Sequence, residues 1–144
     1  MNLAQLKQRL EEEGCNPSNY GLNGYPGGYD GFCLLHREGK WIVLYAERGQ
    51  YDEDNPLFES PDESEACAWF LRYQLGIRQD HLVGWFRSEK RAQELVARLK
   101  AVGTEPIQDS IPYAQNDPRF RVIVVGKEIF PARKLLGDAL PLED

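Results

Sequence analysis

Apolar residues recur at Leu3, Leu6 and Leu10 with polar residues between them, the spacing that places three side chains on one helix face. The pattern predicts a short amphipathic helix, lying as a lid on a core, that Gly14 ends and Pro17 cannot continue. Residues 16–31 hold Pro17, Asn23-Gly24, Pro26-Gly27-Gly28 and three tyrosines, and so many breakers predict an irregular loop. The β-rich runs 32–36 and 41–45 flank Arg37-Glu38-Gly39-Lys40, which predicts a hairpin.

A second helix should open at Ser60-Pro61-Asp62-Glu63, with Ser60 as N-cap, Pro61 at the first helical position and Glu63 reaching back. Ala66, Trp69, Phe70 and Tyr73 would form its buried stripe and Gly76 its end. Residues 81–86 read as a strand, and Ser88 as the N-cap of a helix carrying Ala92, Leu95, Val96, Leu99 and Val102 up to Gly103. A weaker strand over 105–111, interrupted by Pro106 and bounded by Pro112, belongs at a sheet edge. Residues 119–125 form the last strong strand, with Phe120, Val122 and Val124 on one face, before a short helix near 130–136. The order αββαβαββα is an α+β pattern, an antiparallel sheet with helices packed on it. A faint internal echo joins the halves, since Phe58 and Phe86 each stand two residues before an expected N-cap serine.

The length of 144 residues suits a single domain with one core. Net charge −6 opposes binding to nucleic acid or an anionic membrane and favours a basic partner. The N-terminus lacks the pattern of a signal peptide, and no apolar run is long enough for a membrane span. Cys15, Cys33 and Cys67 show no C-x-x-C pairing and read as reduced thiols of a cytoplasmic protein, Cys33 and Cys67 as small core residues.

Catalytic patterns are scarce. His36 and His81 form no metal-ligand spacing, no serine lies in G-x-S-x-G, and no glycine-rich stretch ends as a phosphate loop does. Cys33 and His36, three apart on one strand, point to opposite faces. No cofactor or metal is expected. The basic residues Arg87, Lys90, Arg91, Arg98 and Lys100 read as a solvated helix face. The polarised stretch is 47–65, with eight carboxylates against Arg48 alone. Helix-dipole complementarity accounts for Asp62, Glu63 and Glu65, but not for Tyr51-Asp52-Glu53-Asp54-Asn55, which is either a solvated connector or a charged docking loop.

Over residues 1–76 the chain resembles small immunity proteins of bacterial polymorphic toxin systems. The residues that carry the likeness are Tyr29-Asp-Gly-Phe32, Gly39-Lys-Trp41, Val43-Leu-Tyr45, Glu47-Arg48-Gly49, Phe58, Ser60, Glu65-Ala-Cys67 and Trp69-Phe70. The resemblance implies a non-enzymatic antitoxin that binds a cognate secreted toxin and occludes its active site. Within the second half, residues 77–144, the stretch of about 81–126 is similar to the SPOR type of peptidoglycan-binding βαββ unit, followed here by a helix. That likeness rests on Leu82-Val-Gly-Trp-Phe86, Ser88, Ala92, the stretch 95–103, Phe120-Arg-Val122 and Gly126, without a clear closing strand after the last helix.

These readings together give the expectation of a cytoplasmic inhibitor, monomeric until it forms a 1:1 complex with a toxin whose active-site surface is basic. Tyr25, Tyr29 and Tyr51 would anchor that partner, and Glu47, Asp52, Glu53 and Asp54 would steer it. A peptidoglycan-binding module is the alternative, and a small enzyme using Cys or His is a third class.

Overall fold

The computed structural model describes residues 1–144 as two compact units, Met1–Ile77 and Arg78–Asp144. Buried hydrophobic side chains form two clusters in the first unit and one in the second. The architecture is α+β, with four α-helices and two sheets. No helix is long and apolar enough to cross a membrane.

In the first unit, α1 (Leu3–Glu12) is opened by a capping box between Asn2 and Gln5, and it buries Leu6 and Leu10. The breaker-rich loop is more ordered than its composition predicts. It contains a 3-10 turn at Pro17–Asn19 and a strand β1 (Tyr20–Leu22), which pairs in parallel with β2 (Gly31–Arg37). The expected hairpin joins β2 to β3 (Lys40–Glu47) through Glu38 and Gly39, both at positive φ, the backbone that a tight two-residue turn requires. The short strands β4 (Gln50–Tyr51) and β5 (Phe58–Ser60) both pair with β3 inside the acidic stretch, where the periodicity gave no strand.

Helix α2 (Glu63–Leu75) starts two residues later than expected. Its N-cap is Asp62, whose carboxylate accepts from Ser64 N and Glu65 N. Ser60 is paired with Trp41 in β5, and its hydroxyl accepts from Asp62 N and donates to Glu65 Oε2. The echo between the two serine caps therefore does not hold. The buried stripe is also rotated: Ala66, Cys67, Phe70, Leu71 and Gln74 point inward, while Trp69 and Tyr73 are half-buried. Trp69 stacks on both Phe58 and Tyr73, and Tyr73 meets Phe32 edge-on.

The second unit orders its strands β7-β8-β6-β9. Between Leu82 and Gly84 the pairing of β6 (Asp80–Phe86) with β8 (Asp117–Val125) shifts register at Val83. Val83 and Gly84 are both buried there, as a bulge permits. Helix α3 (Glu89–Ala101), capped by Ser88 as expected, packs Ala92, Leu95 and Leu99 on Val83, Phe86, Val122 and Val124, with Ile129 and Ala132 of α4 (Ile129–Leu136) in the same cluster. Strand β7 (Ile107–Ala114) is an edge strand, and it accepts Pro112 within its length rather than at its end.

A closing strand does follow the last helix. Strand β9 (Leu142–Glu143) lies parallel to β6, and the Asp144 carboxylate accepts from Arg87 N and Ser88 N at the start of α3. Two residues are too few to give a periodic signal, which is why Pro131, Gly137 and Pro141 dominate the sequence pattern there.

The sheet face opposite α3 carries Trp85, Asp109, Arg119 and Arg121. Arg121 forms a two-pronged ion pair with Asp109, at 2.8 and 2.6 Å. These hydrogen bonds hold the Asp109 carboxyl below the usual carboxylate range. A depressed folded-state pKa contributes stability that is present in full above the unfolded value and lost as pH falls through the folded one. Asp109→Asn should therefore destabilise the protein near neutral pH, by no more than about 1 kcal/mol for so exposed a pair. Urea denaturation should show the variant and the parent converging well below the usual carboxylate range; a difference that persists there would assign the effect to something other than this charge.

Candidate functional site

The candidate surface lies on the first unit, where β3, β4 and the loop after β1 meet. The turn Glu47-Arg48-Gly49-Gln50 joins β3 to β4, with Arg48 and Gly49 at positive φ. The register Ala46 to Tyr51 fixes Tyr51 beside β3. Gly27 N and Gly28 N donate to the carbonyls of Pro17 and Ser18, Asn23 N donates to Leu34 O, and the Asn23 side chain accepts from His36 N. Those bonds hold the 23–30 loop against the sheet. Asp30 Oδ1 then accepts from Arg48 N at 3.3 Å, tying the loop to the β3–β4 turn.

Tyr25 and Tyr51 stack with centroids 4.3 Å apart and planes within 3°. The Arg37 guanidinium lies 5.0 Å from the Tyr51 centroid and pairs with Glu53 at 2.7 Å. Together these groups lie beside the cluster of Cys33, Leu35, Ile42, Leu44 and Ala46, against which Tyr51 packs. Tyr29 is 85% exposed.

Two open clefts share Arg48 as a wall. One, of about 470 Å³, is lined by Tyr45, Glu47, Arg48, Gln50, Tyr51 and Asp52. The other, of about 400 Å³, is lined by Tyr25, Gly28, Tyr29, Arg48 and Gly49. Burial first, then the nearby Asp30 and Glu47 carboxylates, raise the Tyr45 phenol above its ordinary pKa.

The structure thus gathers Tyr25, Tyr29, Glu47, Tyr51 and Asp52 along the two clefts, with Glu53 beside them in its pair with Arg37. Asp54 is exposed in the following turn and lines neither cleft. Tyr20, the remaining tyrosine of the breaker-rich loop, is buried in the core of the first unit, and burial pushes its phenol up to about 12. Sequence reasoning did not assign Tyr45, Arg48 and Gln50 to the surface. The glycine after Arg48 was the available signal, because a glycine there fits a tight turn that would bring β4 back beside Tyr45.

The thiols are buried, and Cys33 is pushed up to about 11, chiefly by burial. Cys33 is therefore a protonated thiol near neutral pH and a poor nucleophile. His36 is on the opposite face, exposed and stacked 4.5 Å from Trp41. No group of three or more His, Cys, Asp or Glu is arranged to hold a metal ion. Comparison of the chain with models of known families, with curated proteins and with solved structures returned no match.

Proposed function

We propose that this protein is an immunity protein, which binds a cognate bacterial toxin and blocks its active site by covering it. The observation that carries the reading is the location of charge together with aromatic surface. Residues 1–77 hold thirteen carboxylates against six Lys and Arg, whereas residues 78–144 hold ten against eleven. The negative field therefore belongs to the unit that also presents Tyr25, Tyr29 and the two clefts. A field of that sign speeds encounter with a basic surface, and exposed tyrosines supply contact area at low entropic cost. The resemblance of residues 1–76 to immunity proteins points the same way.

Titrating the toxin encoded beside this protein should remove its activity in proportion to the molar ratio, ending near one inhibitor per toxin. Replacing Asp52, Glu53 and Asp54 by Asn, Gln and Asn should slow association and flatten its salt dependence, while dissociation changes little. An unchanged association rate at low salt would make the segment a solvated connector. Loss of toxicity at sub-stoichiometric amounts over time would indicate turnover and overturn the reading.

A second reading, as a glycan-binding module, is favoured by the sheet face of the second unit that its helices leave uncovered. There Trp85 meets Tyr113 edge-on at 5.7 Å, and Arg119 lies 4.1 Å from the Tyr113 centroid. Tyr113 is exposed there, and an exposed ring suits the apolar face of a sugar. Co-sedimentation with purified peptidoglycan sacculi, lost in Trp85→Ala, would support this reading; failure of the parent protein to sediment would remove it.

A further inference from the structure

The two clefts differ in chemistry although they share a wall. The larger has the Glu47 and Asp52 carboxylates in its lining with the rings of Tyr45 and Tyr51. The smaller has no carboxylate: its lining is two tyrosines, two glycines and Arg48. Asp52 is engaged only by the Asn55 side-chain amide, which donates to both its oxygens, and no cation lies within ion-pair distance of Glu47 or Asp52. Arg48 itself makes no salt bridge, although carboxylates surround it in sequence. Glu47, Arg48 and Asp52 thus stand in this turn without an ion-pair partner.

We propose that the clefts form a two-part socket for a basic–aromatic pair of adjacent side chains on the partner. A Lys or Arg side chain enters the Tyr45, Glu47, Tyr51 and Asp52 cleft, where the carboxylates meet its charge and the rings cover its methylene stem. An aromatic side chain fills the Tyr25, Gly28, Tyr29 and Gly49 cleft. Gly49 brings no side chain to its lining, and a Cβ there would stand in open space. Tyr25, backed on one face by Tyr51, is held ready to stack. The carboxylates Glu47 and Asp52 line only the larger cleft, and that alone sets the order: a cation gains there two opposite charges that the aromatic cleft lacks.

This inference rests on reading the face as the partner-binding surface, and it is tested apart from that reading with capped dipeptides. N-acetyl-Lys-Tyr-amide, added to the full 15N-labelled chain, should shift the amide resonances of residues 45–52 and of 25–29, whereas N-acetyl-Glu-Tyr-amide should shift neither set. The double variant Glu47→Gln, Asp52→Asn, whose spectrum should otherwise match the parent, should weaken the Lys-Tyr peptide about tenfold. Equal shifts with both peptides, or unchanged affinity in the double variant, would overturn the socket. A neighbouring toxin that binds the parent and the double variant equally well would also overturn it, while the immunity reading survives. A toxin that does not bind the parent, with the peptides behaving as expected, defeats the immunity reading and leaves the socket standing.

Discussion

Replacing Phe70 by alanine should destabilise the first unit by about 3–5 kcal/mol, the range for deleting a fully buried aromatic side chain. Phe70 is wholly inaccessible and sits in the cluster formed by Leu6 and Leu10 of α1, Leu34 of β2, Trp41 and Val43 of β3, and Ala66 of its own helix. It therefore touches the layer that joins both helices to the sheet, and removing it leaves a void that the strand pairings prevent from closing. Urea unfolding followed by tryptophan emission should register the loss, since Trp41 and Trp69 belong to or pack on that cluster. A cost below about 1 kcal/mol would mean that the site collapses around the truncation and that α2 is held by other contacts.

Gly21→Ala should also be disruptive, and for a reason tied to the clefts. A methyl group on residue 21 would run into the carbonyl oxygen of Gly24 and the backbone carbonyl of Tyr25. Backbone cannot swing aside as a side-chain tip does, so the 23–30 loop has to lift from β1 or the strand has to deform. Overpacking of this kind costs about 1–3 kcal/mol, and the lifted loop takes Tyr25 off Tyr51. Gly24→Ala is the matched control, because nothing lies within 4 Å of the methyl it would add. Proton NMR should show the ring-current-shifted resonances of the Tyr25 and Tyr51 pair moving toward exposed-tyrosine positions in Gly21→Ala and staying in place in Gly24→Ala. If both variants keep the stack and the parent's stability, the loop is not seated on β1 as described.

The elements with long periodic runs are legible in the sequence alone. Helix α3 shows why: Ser88, the spacing of Ala92, Leu95 and Leu99, and Gly103 all agree on its ends, and packing then follows local preference. Helix α2 shows where such agreement stops. Ser60-Pro61-Asp62 offers two good caps, and what selects Asp62 is the pairing of Ser60 with Trp41, a contact nineteen positions away that no local pattern contains. The two-residue strands β4 and β9 exist only because β3 and β6 are there to receive them.

The site was legible in its residue types and not in its geometry. Tyr20, Tyr25 and Tyr29 look alike in a breaker-rich segment, and a segment without periodicity does not say which one turns inward. Tyr20 does so because β1 pairs with β2. The role of Arg37 in backing Tyr51 depends in the same way on the β2–β3 and β3–β4 registers.

The turn carrying Glu47, Arg48 and Gln50 lies outside every hydrophobic cluster, with all three side chains exposed. Substitutions at such positions usually alter stability by less than about 0.5 kcal/mol. Over generations Glu47 and Gln50 can therefore be rewritten at almost no folding cost, while Arg48 and Gly49, held at positive φ, and Tyr51, Gly21 and the strands beneath remain constrained. Descendants of one scaffold could diverge in what they recognise much faster than in how they fold, and the β3–β4 turn is where lineages of this protein should differ first.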